Sequence, residues 1–172
     1  FSKPENLGYF TGFVELVVKS FGDLVSEYIT INEPNVYATD SYYFGDWPPG
    51  EKSFGQTVKI MSNMSVCHIK AYELIHKMRR EMGFNDTKVS FAMHLRVFDP
   101  KNPGNPWHRI CAVLLERFFQ EAITEAMAFG KFKWPLKASM PVETGEYCDF
   151  IGINYYSRTT VSGFGDGIRK NA

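Results

Sequence analysis

The chain has 172 residues, 44% hydrophobic and 16% aromatic, which excludes a disordered or highly charged linker and supplies enough apolar surface for a real core. Nineteen basic residues balance nineteen acidic ones, so the chain builds no field that would draw it to nucleic acid or to an anionic membrane. The three cysteines, Cys67, Cys111 and Cys148, are widely spaced and form no Cys-x-x-Cys pair; neither a zinc site nor a disulfide framework is expected, and free thiols fit a reducing cytoplasm.

No apolar stretch reaches membrane-spanning length, and the N-terminus lacks a basic-then-apolar leader pattern. The first residue is Phe1 rather than Met, so the chain is expected to begin partway through a longer one. The first element is a helix, marked by Phe10, Phe13, Val14, Val17, Val18 and Phe21 at helical spacing and broken by Gly22-Asp23. Tyr28 to Ile31 is β-branched and aromatic, a buried strand, and Pro34 cannot continue its ladder. Residues 35–54, with Gly45, Trp47, Pro48, Pro49 and Gly50 at their centre, read as a long loop. Loops of that length inside a compact domain are usually functional.

A long helix follows, carried by Ile60, Met64, Cys67, Ala71, Leu74, Ile75 and Met78 and closed by Gly83. Lys88 to Leu95 is the second strand, and Asp99 to Pro106 a Pro/Gly/Asn loop. Trp107 to Phe129 is a helix with Ile110, Leu114, Phe118, Ala122 and Met127 roughly on one face, and Asp149 to Tyr156 is the third strand. Strands joined through helices of this length run parallel, with right-handed crossovers, so the class is α/β. Asn32 and Glu33, His94 and Arg96, and Asn154 and Tyr156 all fall at or just after the C-terminal end of a strand. Ligands gather at that edge both in a (β/α)8 barrel and in an open doubly wound sheet, so placement alone does not choose between them.

Thr30-Ile31-Asn32-Glu33-Pro34 closely resembles the Thr-Phe-Asn-Glu-Pro signature of glycoside hydrolase family 1, the β-glucosidases and 6-phospho-β-glucosidases. Phe21-Gly22-Asp23-Leu24-Val25 upstream is similar to that family's lead-in to the strand, and Trp47-Pro48-Pro49-Gly50 to its Ala-Pro-Gly loop. Asn63 with His68-Ile69-Lys70-Ala71 resembles its Asn and His-x-x-Ala helix pattern. Asp149-Phe150-Ile151-Gly152-Ile153-Asn154-Tyr155-Tyr156 resembles its Asp-x-Ile-Gly-x-Asn-Tyr-Tyr strand. The matches keep family order across most of the chain. One departure is the run Ile123 to Phe132, which lacks the Asp-Pro that usually ends the helix before the last of these strands.

The resemblance implies a single partial (β/α)8 domain over residues 1–172, roughly strands four to six with their helices. It implies retaining hydrolysis of a β-glucoside or 6-phospho-β-glucoside without a cofactor. In that chemistry one carboxylic acid protonates the leaving oxygen and later acts as base, while a second carboxylate about 5 Å away forms the glycosyl-enzyme. By resemblance Glu33 is the acid/base, a role that asks it to hold a proton near neutral pH, which partial burial and a neighbouring carboxylate favour. Asn32 would bind the sugar 2-hydroxyl, Asn154 would sit beside the acid/base, and Tyr156 would orient the nucleophile. Tyr155, on the opposite face, reads as packing.

The Glu-Asn-Gly strand that would carry the nucleophile has no match here. Glu143 and Glu146 precede the third strand at its wrong end, so this segment alone is expected not to hydrolyse glycosides. His94 reads equally as a satisfied rim histidine or a ligand contact, Arg96 has no sharp family counterpart, and Trp47 reads as loop packing. Three parallel strands leave two open edges, so self-association or completion by the rest of a barrel is expected. The competing reading is a non-catalytic carbohydrate-binding or interaction module derived from the same barrel.

Overall fold

The computed structural model describes residues 1–165 apart from Pro4. Its elements in chain order are α1 (Glu5–Phe21), β1 (Glu27–Asn32), α2 (Pro34–Ala38), a π-helical turn (Thr39–Phe44), α3 (Phe54–Glu81), β2 (Lys88–Pro100), α4 (Pro106–Glu116), a second π-helical turn (Arg117–Glu121), α5 (Ala122–Phe129) and β3 (Gly152–Val161). The three strands form one parallel sheet in the order β1-β2-β3. The α/β reading therefore stands, with the helices serving as the crossovers that parallel pairing requires.

Local chemistry explains the boundaries. Asn105 caps α4 by accepting the Trp107 N–H at 2.9 Å, with Pro106 in the first turn, where its missing N–H is no loss. Ser53 caps α3 by accepting from the Gln56 N–H. Gly130 ends α5 in the left-handed region (φ 65°); a Cβ there would lie 2.4 Å from the Glu143 carbonyl, so only glycine fits. Arg79, 1% exposed near the end of α3, bonds the Gly22 carbonyl, Asp86 and Thr87, tying that end to the turn before β2.

Two apolar clusters hold the layers together. The larger packs Met61 and Met64 of α3 against Phe91 and Met93 of β2 and against Phe119 and Ile123 of the α4–α5 region. The smaller joins Val14 and Val18 of α1 to Ala71 and Ile75 of α3 and Val89 of β2. Each fully buried side chain of this size contributes about 1.5–3 kcal/mol of transfer free energy.

Several expectations are corrected. The segment 35–54 is not wholly loop, because residues 34–44 are helical and only about nine residues before α3 are irregular. Pro34 supplies a favourable first helical φ, and Gly45 (φ 72°) terminates the turn. In α1 only Val14 and Val18 are buried, whereas Phe13 and Phe21 are exposed, because a single helix, α3, covers the element. Of the expected face of 107–129, Phe118, Ala122 and Met127 are buried, whereas Ile110 is exposed and Leu114 only partly covered, with Cys111 and Leu115 buried in their place; the π-helical turn at Arg117–Glu121 alters the helical phase between the two halves. The strand β2 runs to Pro100 rather than Leu95, and β3 starts at Gly152 and continues to Val161, since each extension pairs with the other.

Candidate active site

β1 ends at Asn32, and the next residue is the backbone outlier of the chain. Glu33 stands at φ 48°, ψ 54°, the only non-glycine residue with positive φ among those described. A residue before proline normally takes an extended conformation, and left-handed backbone at a non-glycine position costs about 1–3 kcal/mol. Two bonds hold it there. The Glu33 N–H donates to the Ala92 carbonyl of β2 at 2.8 Å, and the Glu33 carbonyl accepts from the Tyr37 N–H at 3.1 Å. The chain thus turns from strand into α2 without losing its tie to the sheet, and the carboxylate is left at the C-terminal edge.

Asn154 of β3 meets it there. Its Nδ2 donates to Glu33 Oε1 at 2.9 Å and to Asn32 Oδ1 at 3.0 Å, linking the two outer strands across β2. The sheet register places His94 opposite Asn154. The Glu33 carboxylate, as a nearby acceptor and by its charge, raises the Tyr156 phenol above its ordinary range. Thus Asn32, Glu33, Asn154 and Tyr156, chosen from sequence, converge on one point. Tyr155, its neighbour along β3, is 53% exposed among the described residues.

The floor of the site is built from β2 and α2. Asn35, fully buried, donates from Nδ2 to the His94 carbonyl at 2.8 Å. The His94 ring lies edge-on between Phe119 (5.5 Å) and Tyr156 (4.9 Å), and burial, reinforced by the Arg96 cation, holds it below its usual value. Arg96 is buried and faces Asp40, whose carboxyl is pushed up by burial and by the charges of Asp46 and Glu33 and drawn down by Arg96. Its backbone is clasped by Gln120, which accepts from the Arg96 N–H at 2.9 Å and donates to the Arg96 carbonyl at 3.0 Å.

A cleft of about 290 Å³ opens beside Glu33, lined by Ile31, Asn32, Val36, Tyr37 and Trp47 among others. That is close to the lower end of the range for small-molecule sites. Trp47 is 47% exposed and lines the cleft instead of packing only within its own loop. Its sequence signal was its position in a Pro/Gly-rich loop downstream of Glu33; only the fold shows that this loop returns to the carboxylate. Among the described residues no group of three or more His, Cys, Asp or Glu side chains is placed to hold a metal ion.

Residues 1–168 match the model of glycosyl hydrolase family 1. The chain belongs to that family. A similar solved structure is the β-glycosidase from Pyrococcus horikoshii, with a TM-score of 0.78 and 26% identity over 92% of this chain and 35% of that one. Among sequences, the chain is 29% identical over 171 residues to the chloroplastic galactolipid galactosyltransferase SFR2 of Arabidopsis thaliana, covering 94% of this chain and 24% of that protein. It is 28% identical over 183 residues to a β-galactosidase of Saccharolobus solfataricus, covering 95% of this chain and 34% of the relative. The chain therefore spans about a quarter to a third of the length of these relatives. Family 1 membership decides between the two architectures that strand placement left open: β1, β2 and β3 are part of a (β/α)8 barrel.

Proposed function

We propose that this chain is the acid/base segment of a retaining β-glycosidase, with Glu33 as the general acid/base. The observation that carries the reading is the strained, left-handed Glu33 at the C-terminal edge of β1, its carboxylate held by Asn154. Glu33 protonates the glycosidic oxygen as the bond breaks, then removes a proton from the water that releases the sugar. The second carboxylate of the pair comes from a strand beyond these three. Asn32 binds the sugar 2-hydroxyl, and its bond to Asn154 fixes the amide for that contact. Tyr156, two residues past Asn154 on β3, orients the nucleophile once that carboxylate is in place.

The substrate is a β-linked glycoside, a β-glucoside, a β-galactoside or a 6-phospho-β-glucoside. Similarity to a named galactosyltransferase favours testing sugar hydroxyls as well as water as acceptors. Cys67, Cys111 and Cys148 are all free thiols, in keeping with a reducing cytoplasm as the site of action.

The test uses the barrel that contains this chain and an aryl β-glucoside with a poor leaving group. Glu33→Ala should lower turnover by about 10²–10⁴-fold, the usual worth of a positioned acid/base. With an activated aryl β-glucoside, whose leaving group departs without acid assistance so that release of the glycosyl-enzyme limits turnover, azide should restore part of the lost rate by attacking that intermediate in place of water. Unchanged turnover overturns the assignment. Sugar binding without turnover in the unsubstituted protein supports the non-catalytic carbohydrate-binding reading instead.

A further inference from the structure

Asn154 can meet Glu33 only if β3 sits at one height and in one register, and a single face of α3 governs both. His68, Tyr72 and His76 stand at i, i+4 and i+8 on that helix and so lie one above another. His68 Nε2 is 2.7 Å from the Tyr147 carbonyl. The Tyr72 hydroxyl donates to Asp149 Oδ1 at 2.8 Å, and His76 Nε2 lies 2.8 Å from Asp149 Oδ2. The stripe thus grips residues 147 and 149, just ahead of β3.

The same stripe reaches the other two strands. Thr30 Oγ1 of β1, three residues before Glu33, is 2.6 Å from His68 Nδ1. Asp149 Oδ2 also accepts from the Val89 N–H of β2 at 2.7 Å, while the Asp149 N–H donates to the Val89 carbonyl at 2.9 Å. The tautomer follows: a carbonyl only accepts, so Nε2 of His68 carries the proton and Nδ1 accepts from the Thr30 hydroxyl. Beyond Asp149 the register is tight, since a Cβ on Gly152 would lie 2.8 Å from the Ala92 Cβ. A slip of one residue would turn Asn154 to the other face of the strand and remove its bonds to Asn32 and Glu33.

We propose that the His68–Tyr72–His76 face of α3 is a positioning device for the Glu33 site, fixing β3 against β1 and β2 and so delivering the Asn154 amide to the Glu33 carboxylate. Its catalytic meaning rests on the acid/base reading of Glu33; the geometric coupling does not. All three are positioning residues, because none touches the reacting atoms.

The test is the side-chain amide resonance of Asn154 in the barrel that contains this chain, 15N-labelled at asparagine and assigned by its loss in Asn154→Ala. In the otherwise unsubstituted barrel this signal should shift when Glu33→Gln is introduced. In His68→Phe, and to a lesser degree in Tyr72→Phe, that response should disappear. His68→Gln, which keeps one donor and one acceptor, should restore it. Ile75→Ala, on the same helix but packed in the α1 cluster, should lower stability while leaving the response intact. If His68→Phe fails to fold, Tyr72→Phe, which keeps the ring, reads the same signal. A Glu33 response that persists in the His68 and Tyr72 variants, or that Ile75→Ala abolishes equally, overturns the proposal. Because the signal involves no turnover, its failure is separable from a failure of the acid/base assignment.

Discussion

Acidification from pH 7 to pH 4 should withdraw about 3 kcal/mol of folding stability through His68 alone. The side chain is fully buried, and burial drives it down to about 4 from an ordinary value of 6.5, opposed by its bond to the Tyr147 carbonyl. Above pH 6.5 both folded and unfolded chains carry a neutral imidazole, and the group exacts no penalty. As the pH falls, the unfolded chain takes up the proton first, so stability declines by about 1.4 kcal/mol per pH unit. The decline ends near pH 4, where the folded state protonates as well, for a total of about 3 kcal/mol. Urea denaturation of the barrel that contains this chain, unsubstituted and as His68→Gln, at half-unit steps of pH isolates the effect, since the carboxylates common to both cancel. The stability difference between them should change by about 3 kcal/mol across that window, with the unsubstituted protein losing more. Parallel curves for the two proteins would refute the claim that His68 is held neutral by burial.

Other outcomes follow from packing and from the site. Phe91→Ala removes a ring packed edge-on against His68 at 4.9 Å and should lower stability by about 3–5 kcal/mol, read as the denaturation midpoint at constant m-value. Gly130→Ala should destabilise by more than about 1 kcal/mol, because the left-handed backbone and the Glu143 carbonyl both reject a Cβ; a neutral result in thermal melts would contradict that geometry. Trp47→Ala should weaken binding of a β-glucoside about tenfold by removing an aromatic wall of the cleft, measured by calorimetry on the barrel that contains this chain.

Much of the site was legible because its residues crowd around strand ends. Asn32 and Glu33 are joined to a proline that must end β1, and Asn154 and Tyr156 lie two apart on a strand, hence on one face. What could not be read was the backbone state of Glu33. Sequence context before a proline argues for extended geometry, and the left-handed turn is imposed by the Ala92 carbonyl of another strand. Trp47, read from sequence as loop packing, also lines the cleft beside Glu33, because its loop returns to the carboxylate. The helical 34–44 segment was obscured by aromatic and polar residues without a clean period, yet Tyr37 and Tyr42 are stabilised as helix by ring contacts to each other and, for Tyr37, to Phe1.

The sequence by itself determined the α/β class, the parallel direction of three strands, and the identity of a carboxylate beside an asparagine at the first strand's end. These follow from periodicity, breakers and adjacent residues, all of which act over a few positions of chain. The tertiary structure alone decided that Asn154, 121 residues away, grasps Glu33, and that the hold depends on one face of α3. Those relations are fixed by hydrogen bonds between distant segments, the His68 ring and the Asp149 carboxylate above all. Local propensity carries no record of them, because each partner is chosen by the packing that brings it within reach.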